Sequence, residues 1–266
     1  MRVVRKRFGQ HFLAPEWIEK VIRAIDPKSD EVFIEIGPGR GALTLPLAAR
    51  ASRVTAYEID RDLAAELREA AIPNLTVVEG DFLERATESA MLAAQSQPVR
   101  VAGNLPYNVA SPIMFRLLEL FDAGSALKDA TLMVQREVAD RLVAAPGGKE
   151  YGVLSVLIQH AARVEMVLKL PPGAFRPPPK VNSALVALRF HAPDPPVRNR
   201  AVFDAIVQSV FTRRRKTLAN ALLAYGGRPD LKPSEALSSA ELDGNRRPET
   251  LSIVEFARLA DAYTLR

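Results

Sequence analysis

Glu31-Val-Phe-Ile-Glu-Ile-Gly-Pro-Gly-Arg-Gly-Ala42 decides the fold class. Its first half, Glu31–Ile36, is a short apolar run that reads as a buried strand. Its second half is a glycine-rich turn that leads into Ala42–Arg50, where Leu43, Leu45, Leu47 and Ala48 form the inner stripe of a helix. The same strand-then-helix unit recurs downstream. Strand Arg53–Glu58 precedes helix Arg61–Ala70, and strand Leu75–Glu79 with a turn at Gly80-Asp81 precedes a helix over Leu83–Ala94. Strand Val99–Ala102 precedes helix Ser111–Phe121, and strand Ala130–Gln135 precedes helix Arg136–Ala144. Five such units with short connections predict an α/β fold: a parallel sheet with helices on both faces.

Upstream of the quoted stretch, residues 15–25 place Trp17, Ile18, Val21, Ile22 and Ile25 on one helical stripe that Pro27 ends. Beyond residue 144 come a turn-rich loop, Pro146-Gly-Gly-Lys149, a helix near 152–162, and two strands, Val164–Leu170 and Ala184–Phe190. This hairpin-like pair brings the expected sheet to seven strands. Three prolines within 191–199 mark a linker, and from there the pattern is helical only: Phe203–Phe211, Lys216–Ala224, Pro233–Ala240 and Ile253–Tyr263, with Ser252 capping ahead of Glu255. The expected division is an α/β domain over 1–192 (with a basic arm, 1–14), a linker over 193–199, and a small helical domain over 200–266.

No cysteine is present, which excludes disulfides and thiolate metal sites, and three scattered histidines give no zinc spacing, so no metal is expected. No apolar run reaches the roughly 18 residues of a membrane span, and Met1–Arg7 has no apolar signal core. A cytoplasmic protein without a membrane partner is expected, and a monomer. The net charge of +5 favours a polyanionic partner, nucleic acid being the commonest. The positive charge clusters at Arg2, Arg5, Lys6 and Arg7 and again at Arg213, Arg214, Arg215 and Lys216.

Gly37 to Ala42 satisfies G-x-G-x-x-A, and Glu58 follows Gly37 by 21 residues. The same pattern marks NAD sites, so the motif alone leaves two cofactor classes open. Charge separates them. Glu35, Glu58 and Asp81 fall at three successive strand ends, where open α/β sheets bind ligands, and a pyrophosphate set among three carboxylates would be repelled. S-adenosylmethionine fits: it carries an ammonium, a sulfonium, two ribose hydroxyls and an adenine amine. Glu58 would take the ribose hydroxyls, Asp81 the adenine amine, and Glu35 would lie near the methionine end, through water or the glycine-loop backbone. The alternative is that Glu58 and Asp81 cap the helices that follow them. Phe8-Gly-Gln-His-Phe-Leu13 could fold over the methionine end or be core packing only. A hairpin closing the sheet suits the methyltransferase version of the Rossmann-like architecture better than a plain dinucleotide fold.

Arg100-Val-Ala-Gly-Asn-Leu-Pro-Tyr-Asn108 supplies a second site. After the strand, Asn104, Leu105, Pro106 and Tyr107 form a loop that Pro106 stiffens. The Asn104 side-chain oxygen and a neighbouring main-chain carbonyl can accept both hydrogens of an exocyclic amine, aiming the nitrogen lone pair at an electrophile. Tyr107 can stack on the ring, a contact worth roughly 1–3 kcal/mol per base.

Phe8–Leu13, Glu35–Gly41, Tyr57-Glu-Ile-Asp60, Glu79-Gly-Asp-Phe82 and Asn104–Tyr107, in this order, resemble the rRNA adenine N6-dimethyltransferase family. Phe175-Arg-Pro-Pro-Pro-Lys-Val181 fits too. Phe211–Leu222 and Arg247–Ser252 are similar to its small-subunit (16S, KsgA/RsmA-type) branch. The resemblance implies a Rossmann-like class I methyltransferase fold, with S-adenosylmethionine as cofactor. It also implies dimethylation of N6 on two adjacent adenines near the 3′ end of small-subunit rRNA, within an assembling small ribosomal subunit. By position it implies that His11, Leu13, Gly37, Glu58, Asp81 and Asn104 contact the cofactor, with Gln10, Glu35, Gly39 and Ile59 completing the set and Phe82 packing on its adenine. Leu105 and Pro106 would shape the amine-binding loop, and Tyr107 and Phe175 would clamp the target base; the alternative for Phe175 is a core residue beneath the proline-rich loop. Arg5, Lys6, Arg7, Arg176, Lys180 and Arg213–Lys216 would meet RNA.

Overall fold

The short connections between apolar strands and amphipathic helices leave the chain little choice but to wind a parallel sheet, and it does so. A computed structural model describes residues 11–84 and 97–264. Arg5, Lys6, Arg7, Gln10 and nearly all of the helix expected over 83–94 lie outside the described residues. The strands are β1 (Phe12–Leu13), β2 (Val32–Ile36), β3 (Arg53–Glu58), β4 (Leu75–Glu79), β5 (Val99–Asn104), β6 (Leu127–Gln135), β7 (Ala162–Leu170), β8 (Phe175–Arg176) and β9 (Ser183–Phe190). Seven form one sheet in the order β4-β3-β2-β5-β6-β9-β7. The pairs from β4 to β6 are parallel and β6–β9 is antiparallel. The remaining two, β1 and β8, make a separate antiparallel pair with Leu13 opposite Phe175.

The register brings the functional strand ends level. Ile36 pairs with Tyr57 on one side and Gly103 on the other, and Glu58 pairs with Glu79. Gly103 is what lets β5 approach this closely, since a Cβ there would lie 2.7 Å from the Ile36 carbonyl oxygen. The helix after the glycine loop is shorter than its apolar stripe suggested, Thr44–Ala48 rather than Ala42–Arg50. Gly41 has φ +81°, a conformation outside the right-handed helix, so the helix begins only beyond it.

The chain groups into two compact units. One comprises the described residues up to Ala139 together with Val164–Phe190; the other comprises Asp140–Arg163 and the residues from His191 onward. This corrects the expected boundary at 192: the helix Val153–Gln159 joins the helical unit. Residues of the expected linker are pinned to that unit. His191 N–H donates to Ala161 O (3.0 Å), Asp194 N–H to His160 O (2.9 Å), and the buried His160 ring bonds Pro195 O (2.7 Å).

In the first unit Phe33, Val21, Ile22, Ile25, Leu47 and Phe175 share one buried cluster. Arg100, inside the sheet, binds Glu31 (2.6 Å), Asp129 (2.9 Å) and the Ile25 carbonyl (2.8 Å). In the second unit, Phe203, Ile206, Val207 and Val210 on the helix Arg200–Thr212 pack against the helix Ile253–Tyr263, which buries Phe256, Leu259, Ala260 and Tyr263. Both sets follow helical periodicity. Ser252 and Glu255 form the expected capping box: Ser252 Oγ accepts from Glu255 N–H at 3.2 Å, and Ser252 N–H donates to the Glu255 carboxylate at 2.8 Å. Among the described residues no helix is long and apolar enough to cross a membrane.

Candidate active site

Strands β2, β3 and β5 end beside one another, and the loops that leave them enclose a cavity of about 400 Å³. His11, Leu13, Glu35, Gly37, Gly39, Glu58, Ile59, Asp81, Phe82 and the whole Asn104–Tyr107 loop line it. Sequence positions spread over nearly a hundred residues thus meet in one hollow, because parallel strands deliver all their carboxyl ends to the same edge.

The glycine loop is shaped for close approach. Gly37 and Gly39 have φ of +69° and +57°, which side chains other than glycine rarely tolerate. Phe12 lies against Gly39, 3.2 Å from where a Cβ would be, and the Arg40 guanidinium sits over the Phe12 ring at 5.1 Å. Phe12 therefore rests on the glycine loop.

The electrostatics are those of a cation site. Glu35 is 1% exposed and, among the described residues, its Oε2 has no hydrogen-bond partner. Burial, reinforced by the neighbouring Glu58, pushes its carboxyl up to about 8. Glu58 accepts the N–H groups of Gly39 and Asp60, both at 2.9 Å; burial still raises it above the ordinary carboxylate value. A buried carboxyl with an orphan oxygen and an acidic neighbour is costly unless positive charge comes to it. An anionic pyrophosphate does not fit this lining; a ligand carrying an ammonium does.

Glu58 is not a helix cap. Asp60 performs that task for the helix Arg61–Glu69, accepting from the N–H groups of Asp62 and Leu63. Asp81 accepts the Leu83 N–H at 2.9 Å across a tight turn. Phe82, 3% exposed, packs edge-on to Tyr57 at 5.5 Å between ring centres and gives the cavity an apolar wall.

The second half of the site is the β5 loop. Asn104 Nδ2 donates to the His11 carbonyl at 2.9 Å, which leaves Oδ1 as the acceptor end of the amide. Leu105 is buried, its N–H continuing the sheet by donating to Met133 O at 3.1 Å. The Pro106 carbonyl accepts from Val109 N–H at 3.1 Å and keeps a second lone pair. Tyr107 stacks on His11 at 5.8 Å between ring centres, and its hydroxyl bonds Ser183 Oγ at 2.9 Å. His11 Nδ1 in turn donates to Pro177 O at 2.8 Å. Nothing in the local sequence marks Ser183 or the Pro177 carbonyl; both reach the site through the return of β8 and β9.

Phe175 requires correction. It is 1% exposed, belongs to the main core cluster and does not line the cavity. Leu13 and Phe175 are direct partners across β1–β8, and such partners point to one side, here into the core. Arg176 and Lys180 are on the same returning segment, Arg176 exposed and Lys180 beyond the three prolines. Arg213, Arg215 and Lys216 are exposed in the second unit, while Arg214 donates to Gly148 O at 3.1 Å.

Comparison with known proteins agrees with this arrangement. Residues 1–263 match the profile of a family described as ribosomal RNA adenine dimethylase. The chain is 42% identical over 261 residues to ribosomal RNA small subunit methyltransferase A of Leptothrix cholodnii, covering 98% of this chain and 92% of that one. It is 42% identical over 264 residues to the protein of that name from Salmonella typhimurium, covering 97% and 93%. A crystal structure of a dimethyladenosine transferase from Plasmodium falciparum superposes with a TM-score of 0.74 at 26% identity, over 94% of this chain and 96% of that one. The 23S rRNA methyltransferase ErmE gives 0.64 at 30% identity, over 94% and 98%. Matched by the family profile over residues 1–263 and by relatives at 42% identity along nearly the whole length, the chain belongs to the ribosomal RNA adenine dimethylase family.

Proposed function

We propose that this protein transfers methyl groups from S-adenosylmethionine to N6 of two adjacent adenines near the 3′ end of 16S rRNA, within the small ribosomal subunit. The observation that carries this reading is the Asn104 amide, oriented by the His11 carbonyl at the edge of an acidic cavity. The small-subunit assignment is supported by the names of the relatives at 42% identity.

When bound, the cofactor supplies an electrophilic methyl group on a sulfonium. Glu35 would lie toward its methionine end and ionise only as that cationic group arrives, Glu58 would accept from the ribose hydroxyls, and Asp81 from the adenine amine against the Phe82 wall. The target adenine leaves its stack to reach the pocket. Asn104 Oδ1 and the Pro106 carbonyl accept the two N6 hydrogens, while Tyr107 supports the ring. Positioning of this kind provides much of the rate in a two-reactant displacement, and no strong general base is required, because alkylation makes the nitrogen acidic. The exposed Arg213, Arg215 and Lys216 grip RNA phosphates, as do Arg5, Lys6, Arg7, Arg176 and Lys180. The protein works as a cytoplasmic monomer.

The test is to incubate the protein with S-adenosylmethionine and unmethylated small subunits and to map modified adenines by mass spectrometry. Dimethylated adenines confined to two adjacent positions are expected. Binding of NAD without binding of S-adenosylmethionine, or no methylation of small subunits, overturns the reading.

A further inference from the structure

Tyr107 sits on a loop, half-buried, and two single bonds set the plane of its ring. Such a side chain sweeps a range of orientations unless something outside the loop holds it. Two groups do. On one face, the His11 ring stacks at 5.8 Å with 27° between planes, itself tied to Pro177 O. At the far edge, the Tyr107 hydroxyl meets Ser183 Oγ at 2.9 Å. Ser183 is 1% exposed and opens β9, where it pairs with Gln135 of β6; the adjoining Asn182 carbonyl accepts from Arg136 N–H at 2.9 Å. The backbone that carries this hydroxyl is therefore held by the antiparallel part of the sheet, not by the loop it serves.

We propose that Ser183 is a positioning residue for methyl transfer: from β9 it holds the Tyr107 hydroxyl and so fixes the plane on which the target base lies. The proposal rests on Tyr107 being the base platform. A base lying on a tilted ring presents its amine away from the Asn104 acceptor and off the line of methyl transfer, and displacement reactions are sensitive to small losses of alignment. Ser183 touches neither substrate nor cofactor in this role; it acts only through Tyr107.

The experiment compares the full-length wild-type protein with Ser183→Ala, Tyr107→Phe, the double variant and Tyr107→Ala. Single-turnover methyl transfer to unmethylated small subunits, Kd for S-adenosylmethionine and Tm are measured for each. Both single hydroxyl deletions are expected to slow transfer by about 3- to 10-fold, the range for one hydrogen bond, with the cofactor Kd unchanged. The double variant is expected to be no slower than the slower single, because the two hydroxyls act as one unit. Tyr107→Ala is expected to be slower than any of them. If Ser183→Ala transfers at the wild-type rate while Tyr107→Ala is slow, the positioning role is wrong and the platform stands. Multiplying effects in the double variant also overturn it, since they mean Ser183 acts independently of Tyr107. Wild-type transfer by Tyr107→Ala removes the platform and the proposal together.

Discussion

Glu35→Gln should stabilise the ligand-free protein at alkaline pH while weakening its hold on the cofactor. The carboxyl is 1% exposed, its Oε2 is unpartnered, and burial beside Glu58 raises it from the ordinary 4.5 to about 8. Below pH 4.5 the group is protonated in both folded and unfolded chains and costs nothing. As pH rises toward 8 the unfolded chain ionises while the folded one keeps its proton, so stability falls. Above 8 the loss is complete. The interval spans about 3.5 pH units at about 1.4 kcal/mol each, giving on the order of 5 kcal/mol. Glutamine keeps the shape and cannot ionise, so the stability difference between variant and wild type should widen by that amount from pH 4.5 to 8. Glu58, also raised by burial, contributes a slope of the same sign in both proteins. Urea unfolding at four pH values measures the difference, and calorimetric titration with S-adenosylmethionine at pH 7.5 measures the cost in affinity. A variant curve parallel to wild type across the whole range would refute the burial argument.

Asn104→Ala should leave the cofactor Kd within a few-fold and cut methyl transfer by orders of magnitude; unchanged turnover with small subunits would remove its amine-orienting role. Phe175→Ala should destabilise the protein by about 3–5 kcal/mol, the usual cost of emptying a buried phenylalanine site, with transfer per folded molecule near wild type. Chemical denaturation and active-site titration separate the two, and a stable but inactive variant would return Phe175 to the base. Replacing Arg213, Arg215 and Lys216 by Ala should flatten the dependence of small-subunit binding on salt, the log–log slope falling by roughly one for each phosphate no longer neutralised. Equal slopes before and after would show that this exposed cluster does not face RNA.

Local patterns carried the strand ends and missed what crosses the chain. Glu35, Glu58 and Asp81 could be placed on one edge from the sequence alone, because parallel pairing with short connections fixes where strands finish, and the glycine loop announces its own turn. Asn104–Tyr107 was legible for the same reason. The fate of Phe175 was not: a Phe ahead of three prolines reads as a loop aromatic, and only its pairing with the distant Leu13 turns it into the core. Arg100, inside the expected strand, likewise finds its partners only in the distant Glu31 and Asp129. The arm is the instructive case. Its Phe-Gly-Gln-His-Phe-Leu stretch admitted two readings, cover for the cofactor or core packing; in the described part Leu13 packs in the core while His11 and Phe12 line the cavity. Leu13 turns into the core and Phe12 rests on the glycine loop, while His11 holds the Asn104 amide and stacks on the Tyr107 ring. One segment therefore touches the glycine loop and the Asn104–Tyr107 loop together, so a disturbance of either reaches the other through residues 11–13.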